Sequence, residues 1–445
     1  MRCATVSKRT CLRHGKWGCM MAAVLACNTL TSSSSYGQTT LPLADNRDAY
    51  QPAVAFGKDV YLVAWKSGHL AEGDLRKGLN YVGDIVGCRV NAAGKPVDAK
   101  PFSICAASDL QEWPRIAFGD SVFLVVWHDI RNGKDWDVYA ARVTPEGKVL
   151  DRNGILVGGG KHNQAVPDVA WDGKNFQVVW QDFRSGNRYE VYGARVTESG
   201  KVLEAGGRLL ATAKPPFSRI NPVLASAGGG KSLLFWLGGG RAPGGRNGVV
   251  AGAHLLQDGH ASKEPTMENT DPRSAPGGIT GHVPFPVSAA AGPNKLLVVW
   301  PTSAPYGRGD APNDSHAGLF TRDARLEKTV VLPQEKIRGQ LSNSRIRHPS
   351  ATWNGKTFVM AWHQDAEEGR DGVVKWPSEA IFCASIAPDG KTRDRQWIAG
   401  TPSAPAIHPA IASDGNGTTL IVFEQHPEKA DTPICIGARL LKQGD

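Results

Sequence analysis

The sequence predicts an all-β protein, a seven-bladed β-propeller of four-stranded antiparallel blades closed by an N-terminal strand. Three observations carry this. A proline followed 13 or 14 positions later by an aromatic residue recurs seven times, as Pro52/Trp65, Pro114/Trp127, Pro167/Trp180, Pro222/Trp236, Pro286/Trp300, Pro349/Trp362 and Pro409/Phe423. Successive prolines are 53 to 64 residues apart, a spacing suited to a repeated four-stranded unit. No stretch sustains apolar residues at i, i+3, i+4 and i+7, so no substantial helix is expected.

The N-terminus stands apart from the repeat. Arg2, Lys8, Arg9, Arg13 and Lys16 form a basic region without acids, a short apolar core runs from Cys19 to Ala26, and Val24-Leu25-Ala26 offers small residues for cleavage. Residues 1–26 therefore read as a secretory signal peptide, 27–38 as a polar linker and 39–445 as the propeller. Export to the periplasm, the cell exterior or the outer surface is expected. The apolar core is too short to span a bilayer, so no transmembrane span is expected. VLAC also has the outline of a bacterial lipobox, in which Cys27 would carry a lipid anchor; the alternative is a soluble exported protein. Removing residues 1–26 lowers the formal charge from +9 to about +4, so the basic balance gives no ground for a nucleic-acid partner.

The third copy shows one unit most clearly. Val169 to Trp171 is a short apolar run, Asp172-Gly173 a turn, and Phe176 to Trp180 a run rich in β-branched and aromatic residues. Val191 to Val196 is a third strand, and Arg208 to Thr212 a fourth. A single blade cannot bury both faces, so the recurring tryptophans are expected at the seams between blades. The prolines suit the first residue of an innermost strand, where no ladder hydrogen bond is required of them. The last copy supplies strands at Pro409 onward, Thr419 to Phe423 and Ile434 to Leu440, then ends. Thr40 to Ala44 fills the slot that Gly154 to Gly158 and Arg208 to Thr212 fill before later repeats. It is expected to be the missing fourth strand, removing an exposed sheet edge.

The 51 glycines and 29 prolines suit a chain of many tight turns. Cys88, Cys105, Cys383 and Cys435 lie in the repeat region without CxxC spacing, so no zinc site is expected. Export permits disulfides; buried free thiols are the alternative. No HExxH, Walker A, GxSxG or calcium-loop pattern is present, and no cofactor or metal is expected.

Propeller geometry gathers the loops before each proline and after each aromatic on one face, around the channel mouth. Asp129/Arg131 and Asp182/Arg184 recur at the same place in successive copies, which favours a repeated structural turn. Arg89, Arg142, Arg195 and Arg439 look like part of the blade design, with His254 in that place in the fourth copy. Residues that break the pattern are the better ligand-binding candidates: His128, Arg219, Arg345, Arg347, His348, His363, His408 and His426, with Glu424 beside them. Gln257 to Gly281 reads as a Pro/Gly/Ser/Thr-rich loop.

AWDGKNFQVVWQDFR (Ala170 to Arg184) and AFGDSVFLVVWHDIR (Ala117 to Arg131) make the repeat resemble the sialidase-like propellers, whose blades also end strand two in D-x-R. The resemblance covers the scaffold. Sialidases have six blades and an S-x-D-x-G-x-T-W box; seven copies are counted here and that box is absent. Two readings follow. One is a monomeric exported binding or scaffold protein that recognises a glycan, peptide or envelope partner through its polar face. The other, which the resemblance implies, is a glycoside hydrolase or lyase acting on an acidic sugar. Its candidate carboxylates are Asp129, Asp182, Asp365 and Glu424, because glycoside hydrolysis needs two carboxyl groups ~5–9.5 Å apart. A purely structural surface protein is the third possibility.

Overall fold

A computed structural model describes residues 38–42, 47–70, 81–212, 218–241, 247–269, 287–300, 317–331, 336–337, 340–341, 346–365, 379–393, 395–401, 403–429 and 431–442. The propeller lies within Tyr36–Asp445. The expected signal peptide and most of the linker, Cys27 included, lie outside the described residues.

Every regular element among the described residues is a strand. Apart from a two-stranded pair, Lys336–Ile337 with Gln340–Leu341, they form seven antiparallel sheets of four or five strands whose first strands are Asp48–Gly57, Gln111–Phe118, Gln164–Trp171, Ser218–Gly228, Ser288–Ala291, Ile346–Trp353 and Ala406–Ser413, here blades one to seven. Blade three has the strand order expected from sequence: Gln164–Trp171, Phe176–Asp182, Glu190–Val196 and Arg208–Ala211. The first strands of consecutive blades pack side by side around a common axis, blade seven against blade one included. The fold is a seven-bladed β-propeller.

Thr39–Thr40 closes the ring as the outer strand of blade seven, with Thr39 opposite Ala438 and Thr40 opposite Gly437. The Leu41 amide then donates to the Ile436 carbonyl at 2.9 Å. The strand starts one residue earlier than expected and is shorter; residues 43–44 of the expected segment lie outside the described residues. Blade four differs more. His260–Ala261 and Met267–Asn269 both pair with its third strand, so part of the expected loop is ladder.

The prolines do not begin their strands. In six blades the register slips across the proline and the residue before it, as between Tyr50 and Ala53 or Glu112 and Arg115. Each such bulge sets two residues opposite one on the neighbouring strand, and a bulge is a place where a missing N–H costs no ladder bond. The pre-proline residue takes positive φ: Gln51 at 54°, Trp113 at 56°, Val166 at 53°, Asn221 at 50°, His348 at 45° and His408 at 51°.

The aromatics lie where expected. One apolar core occupies each junction between consecutive blades, and each contains the strand-two aromatic of the later blade. Trp127 of blade two, for example, packs against Leu62, Ala64, Ile85 and Ile104 of blade one. Trp180 needs a glycine beside it: a Cβ on Gly207, already at φ 81°, would stand 2.3 Å from its ring. The four cysteines of the propeller are free thiols; Cys88 is buried, which pushes its pKa up to about 12.

A candidate binding face at the channel mouth

The bulges determine what the mouth looks like. At four of the six, the pre-proline N–H turns out of its own ladder and is accepted by a side chain of the preceding blade, that of the residue just after the strand-two aromatic. His128 Nδ1 accepts from Val166 at 3.2 Å, Gln181 Oε1 from Asn221 at 3.2 Å, His363 Nδ1 from His408 at 3.4 Å, and Glu424 Oε1 from Gln51 at 2.6 Å. Three residues expected at a ligand site, His128, His363 and Glu424, are therefore clasps between blades. They are 5%, 4% and 1% exposed, because a buried backbone donor needs its partner in the interface.

Blade one tests the rule. Its post-aromatic residue is Lys66, which has no acceptor to offer. The Trp113 amide donates instead to Gln51 Oε1 at 3.0 Å, and Lys66 Nζ goes to Glu112 Oε2 at 3.1 Å. Because His128 Nδ1 accepts, its proton sits on Nε2, directed at Glu112 Oε1 at 3.4 Å. Burial opposes ionisation of Glu112, but His128 and Lys66 outweigh it and hold the carboxyl at about 2.

Asp129 and Asp182 build a second repeated device away from the axis. Asp182 takes the Trp180 indole N–H at 2.9 Å, the Arg184 amide at 2.9 Å and the Arg184 guanidinium at 2.8 and 2.6 Å. Arg184 lies over the Tyr192 ring at 3.9 Å and donates to the Gly206 carbonyl. Asp129, Trp127, Arg131 and Tyr139 repeat the arrangement in blade two. Both carboxylates are buried with their oxygens engaged in this recurring turn.

The other candidates divide. Arg219, 5% exposed, is pressed over Trp236 at 3.9 Å and paired with Glu268 at 2.8 Å, so it serves packing in blade four. Arg347 stands opposite His363 in the blade-six ladder. Asp365 ends the second strand of that blade, while its side chain and all of Arg345 lie outside the described residues. His426 is half-buried with Nε2 3.8 Å from Glu424 Oε2, too long for a hydrogen bond, though the carboxylate still raises its pKa.

His348 and His408 do reach the axis. Their rings meet edge to face at 4.1 Å, and Trp113 of blade two crosses to them, 6.1 Å from each and nearly parallel to His348. Trp113 was not among the candidates. Its signal was present: like His348 and His408 it directly precedes a repeat proline, where the bulge swings its side chain to the channel. Burial, then His408 and His363, hold His348 far below the ordinary imidazole pKa, and burial with His408 lowers His363 to about 3, so both are neutral. Among the described residues no three His, Cys, Asp or Glu side chains are placed to hold a metal ion. The cluster borders a cavity of ≈ 170 Å³ on the axis, whose wall carries Arg115 and Asp168, 3.9 Å apart. Burial raises Asp168 to about 6, and its Oδ2 accepts the Leu224 amide at 2.8 Å.

The chain matches no protein-family model and no curated protein. Solved structures do resemble it. One is a protein of unknown function from Dyadobacter fermentans, at 11% identity and TM-score 0.47, over 91% of this chain and 98% of that one. Another is an α-L-arabinofuranosidase from Fusarium graminearum, at 10% identity and TM-score 0.46, over 92% and 98%. A third is a neuraminidase-like protein from A/bat/Guatemala/164/2009, at 9% identity and TM-score 0.43, over 75% and 90%. The likeness is one of fold.

One clasp has a pH consequence. Burial works against ionisation of Glu424, but bonds from His408 and the Gln51 amide outweigh it and hold its pKa at about 2. Unfolded glutamate titrates near ~4.3. A carboxylate depressed on folding stabilises the native state above its unfolded pKa and loses that contribution as pH falls through the folded value. Native stability should therefore decline between pH ~4.3 and ~2. Glu424→Gln should flatten that part of a melting-temperature profile; an unchanged slope would count against the clasp.

Proposed function

We propose that this chain is an exported, non-catalytic propeller that binds a glycan on the aromatic surface at its channel mouth. The observation that carries the reading is Trp113 meeting His348 and His408 across the axis. A half-buried indole beside two imidazole rings offers an apolar ring face bordered by polar edges. A sugar presents the matching surface, a C–H face for the ring and hydroxyls for the rim. Export rests on the basic and apolar N-terminal segment.

The competing reading, a hydrolase or lyase acting on an acidic sugar, requires carboxylates free to act on a substrate. Asp129, Asp182 and Glu424 each hold fold-defining donors instead. Binding without turnover is therefore favoured. Glycan-array screening of the mature chain, followed by a hydrolysis assay on each hit, tests it. Trp113→Ala should weaken the hit by about tenfold or more, ~1.4 kcal/mol per decade, with Trp113→Phe retaining most affinity. Full affinity in Trp113→Ala, or steady release of reducing sugar from the bound glycan, would overturn the proposal.

A further inference from the structure

A second site lies on the opposite face, independent of the channel mouth. In blades one to three, a third-strand arginine fills the groove toward the next blade. Arg89 is clamped by Asp98 and reaches the Pro145 carbonyl; Arg142 is clamped by Asp151 and reaches the Glu198 carbonyl. Arg195 pairs with Glu204 and packs on Gly259 of blade four. A backbone bond marks this position in each case: Val97, Leu150 and Leu203 donate to the carbonyls of Arg89, Arg142 and Arg195.

The same bond identifies the equivalents in blades four and six. Ser262 donates to Leu255 in blade four, so Leu255 and not His254 holds the position. In blade seven the ladder register gives Leu440, opposite Leu420 three residues before Phe423 as Arg89 is opposite Leu62 three before Trp65; it lies against Gly94 of blade one as Arg89 lies against Gly147 of blade two. Arg439, expected in this series, instead turns back to the Ile398 carbonyl of blade six at 2.6 Å. In blade six the bond runs from Arg393 to Ser385. A serine there replaces an arginine or leucine.

The groove between blades six and seven is open as a result. It holds a cavity of ≈ 470 Å³, within the ~300–1,000 Å³ range of small-ligand sites. Lys356, Arg393 and Lys442 line it, with the hydroxyls of Thr357, Ser385 and Thr419, and no described lining residue is acidic. Asp394 lies outside the described residues. Lys356 sits in the hairpin between the first two strands of blade six, at the far end of those strands from the mouth.

We propose that this groove is a binding site for an oxyanion, a sulfate, phosphate or carboxylate group, held by Lys356 and Arg393 above the Ser385 floor. Cations converging on hydroxyl-lined space left by a missing side chain are suited to tetrahedral or planar anions through charge-assisted bonds. Calorimetric titration of the mature protein with inorganic sulfate, inorganic phosphate and acetate, at constant ionic strength in chloride, tests the site and ranks the three groups. Saturable heat is expected with at least one. Lys356→Gln/Arg393→Gln should weaken it by about tenfold or more. Ser385→Leu, which places in the groove the residue blades four and seven use there, should abolish it with an unchanged or raised melting temperature. Absence of saturable heat with all three anions would overturn the proposal. So would equal binding in every variant, or binding that survives Ser385→Leu, which would place the anion on the outer surface. Should Ser385→Leu fail to fold, the double variant, altered only at exposed positions, still decides.

Discussion

Replacing Asp182 by alanine is expected to be among the most destabilising single changes in the propeller, at about 3–5 kcal/mol. Asp182 is 1% exposed, and its carboxylate receives the Trp180 indole, the Arg184 amide, and Nε and Nη2 of the Arg184 guanidinium. Alanine leaves that guanidinium, which lies between Tyr192 and the Gly206 carbonyl, without its counter-charge, and leaves a buried indole N–H without an acceptor. Asp182→Asn should fall between wild type and alanine, since an amide oxygen still accepts from Trp180. Urea unfolding followed by tryptophan fluorescence reads the effect, with exposed Asp120→Ala as a control expected within ~0.5 kcal/mol. An Asp182→Ala protein as stable as that control would remove the clamp from the account. The same series separates the two functional readings, because a catalytic Asp182 would lose turnover without losing stability.

Much of this was legible in the sequence because it repeats. The proline–aromatic period gave the blade number, and the D-x-R recurrence after Trp127 and Trp180 pointed to a structural turn. Departure from the repeat in residue identity does not by itself mean departure in chemistry. His128, Gln181, His363 and Glu424 differ in identity, yet all accept a hydrogen bond, and acceptance is what the position requires. Their donors lie on the next blade, 38 to 45 residues on in the His128, Gln181 and His363 pairs, so no local pattern reveals them. Lys66 is the departure in chemistry as well as identity, and it forces a rearrangement around Glu112 and Trp113.

The bulge was hidden for a related reason. Positive φ at Gln51, Trp113 and Val166 is imposed by the blade, not announced by glycine or asparagine. A pre-proline residue would ordinarily be extended, so the prolines read as strand starts. A tryptophan in a propeller usually packs at a seam between blades, and Trp113 does not. Its place before Pro114 sends it to the channel instead. Ser385 could be recognised only once register had identified its counterparts, since spacing from the aromatic shifts by one residue in blades four and seven.

Removing the closing strand should have the other large effect. Thr39 and Thr40 complete the hydrogen bonding of Cys435–Lys442, and Leu41, 1% exposed, enters the core shared by blades seven and one beside Trp65, Val422 and Ile436. Leu41→Ala alone should cost about 2–5 kcal/mol, the usual range for a buried leucine. Deleting residues 38–42 should do more, because it also bares the outer edge of the last blade and offers it to other chains. The deletion protein should melt at least several degrees lower, and size-exclusion chromatography should find it in higher-order species at concentrations where the full chain is not. The Glu424–Gln51 clasp joins the same two blades from the axial side, so Leu41→Ala and Glu424→Gln act on one seam from opposite edges. Their combined cost should fall short of the sum of the single costs if the seam opens as a unit, because either change alone already forfeits the shared coupling. Simple additivity would instead mean that the inner and outer edges of the closure yield separately.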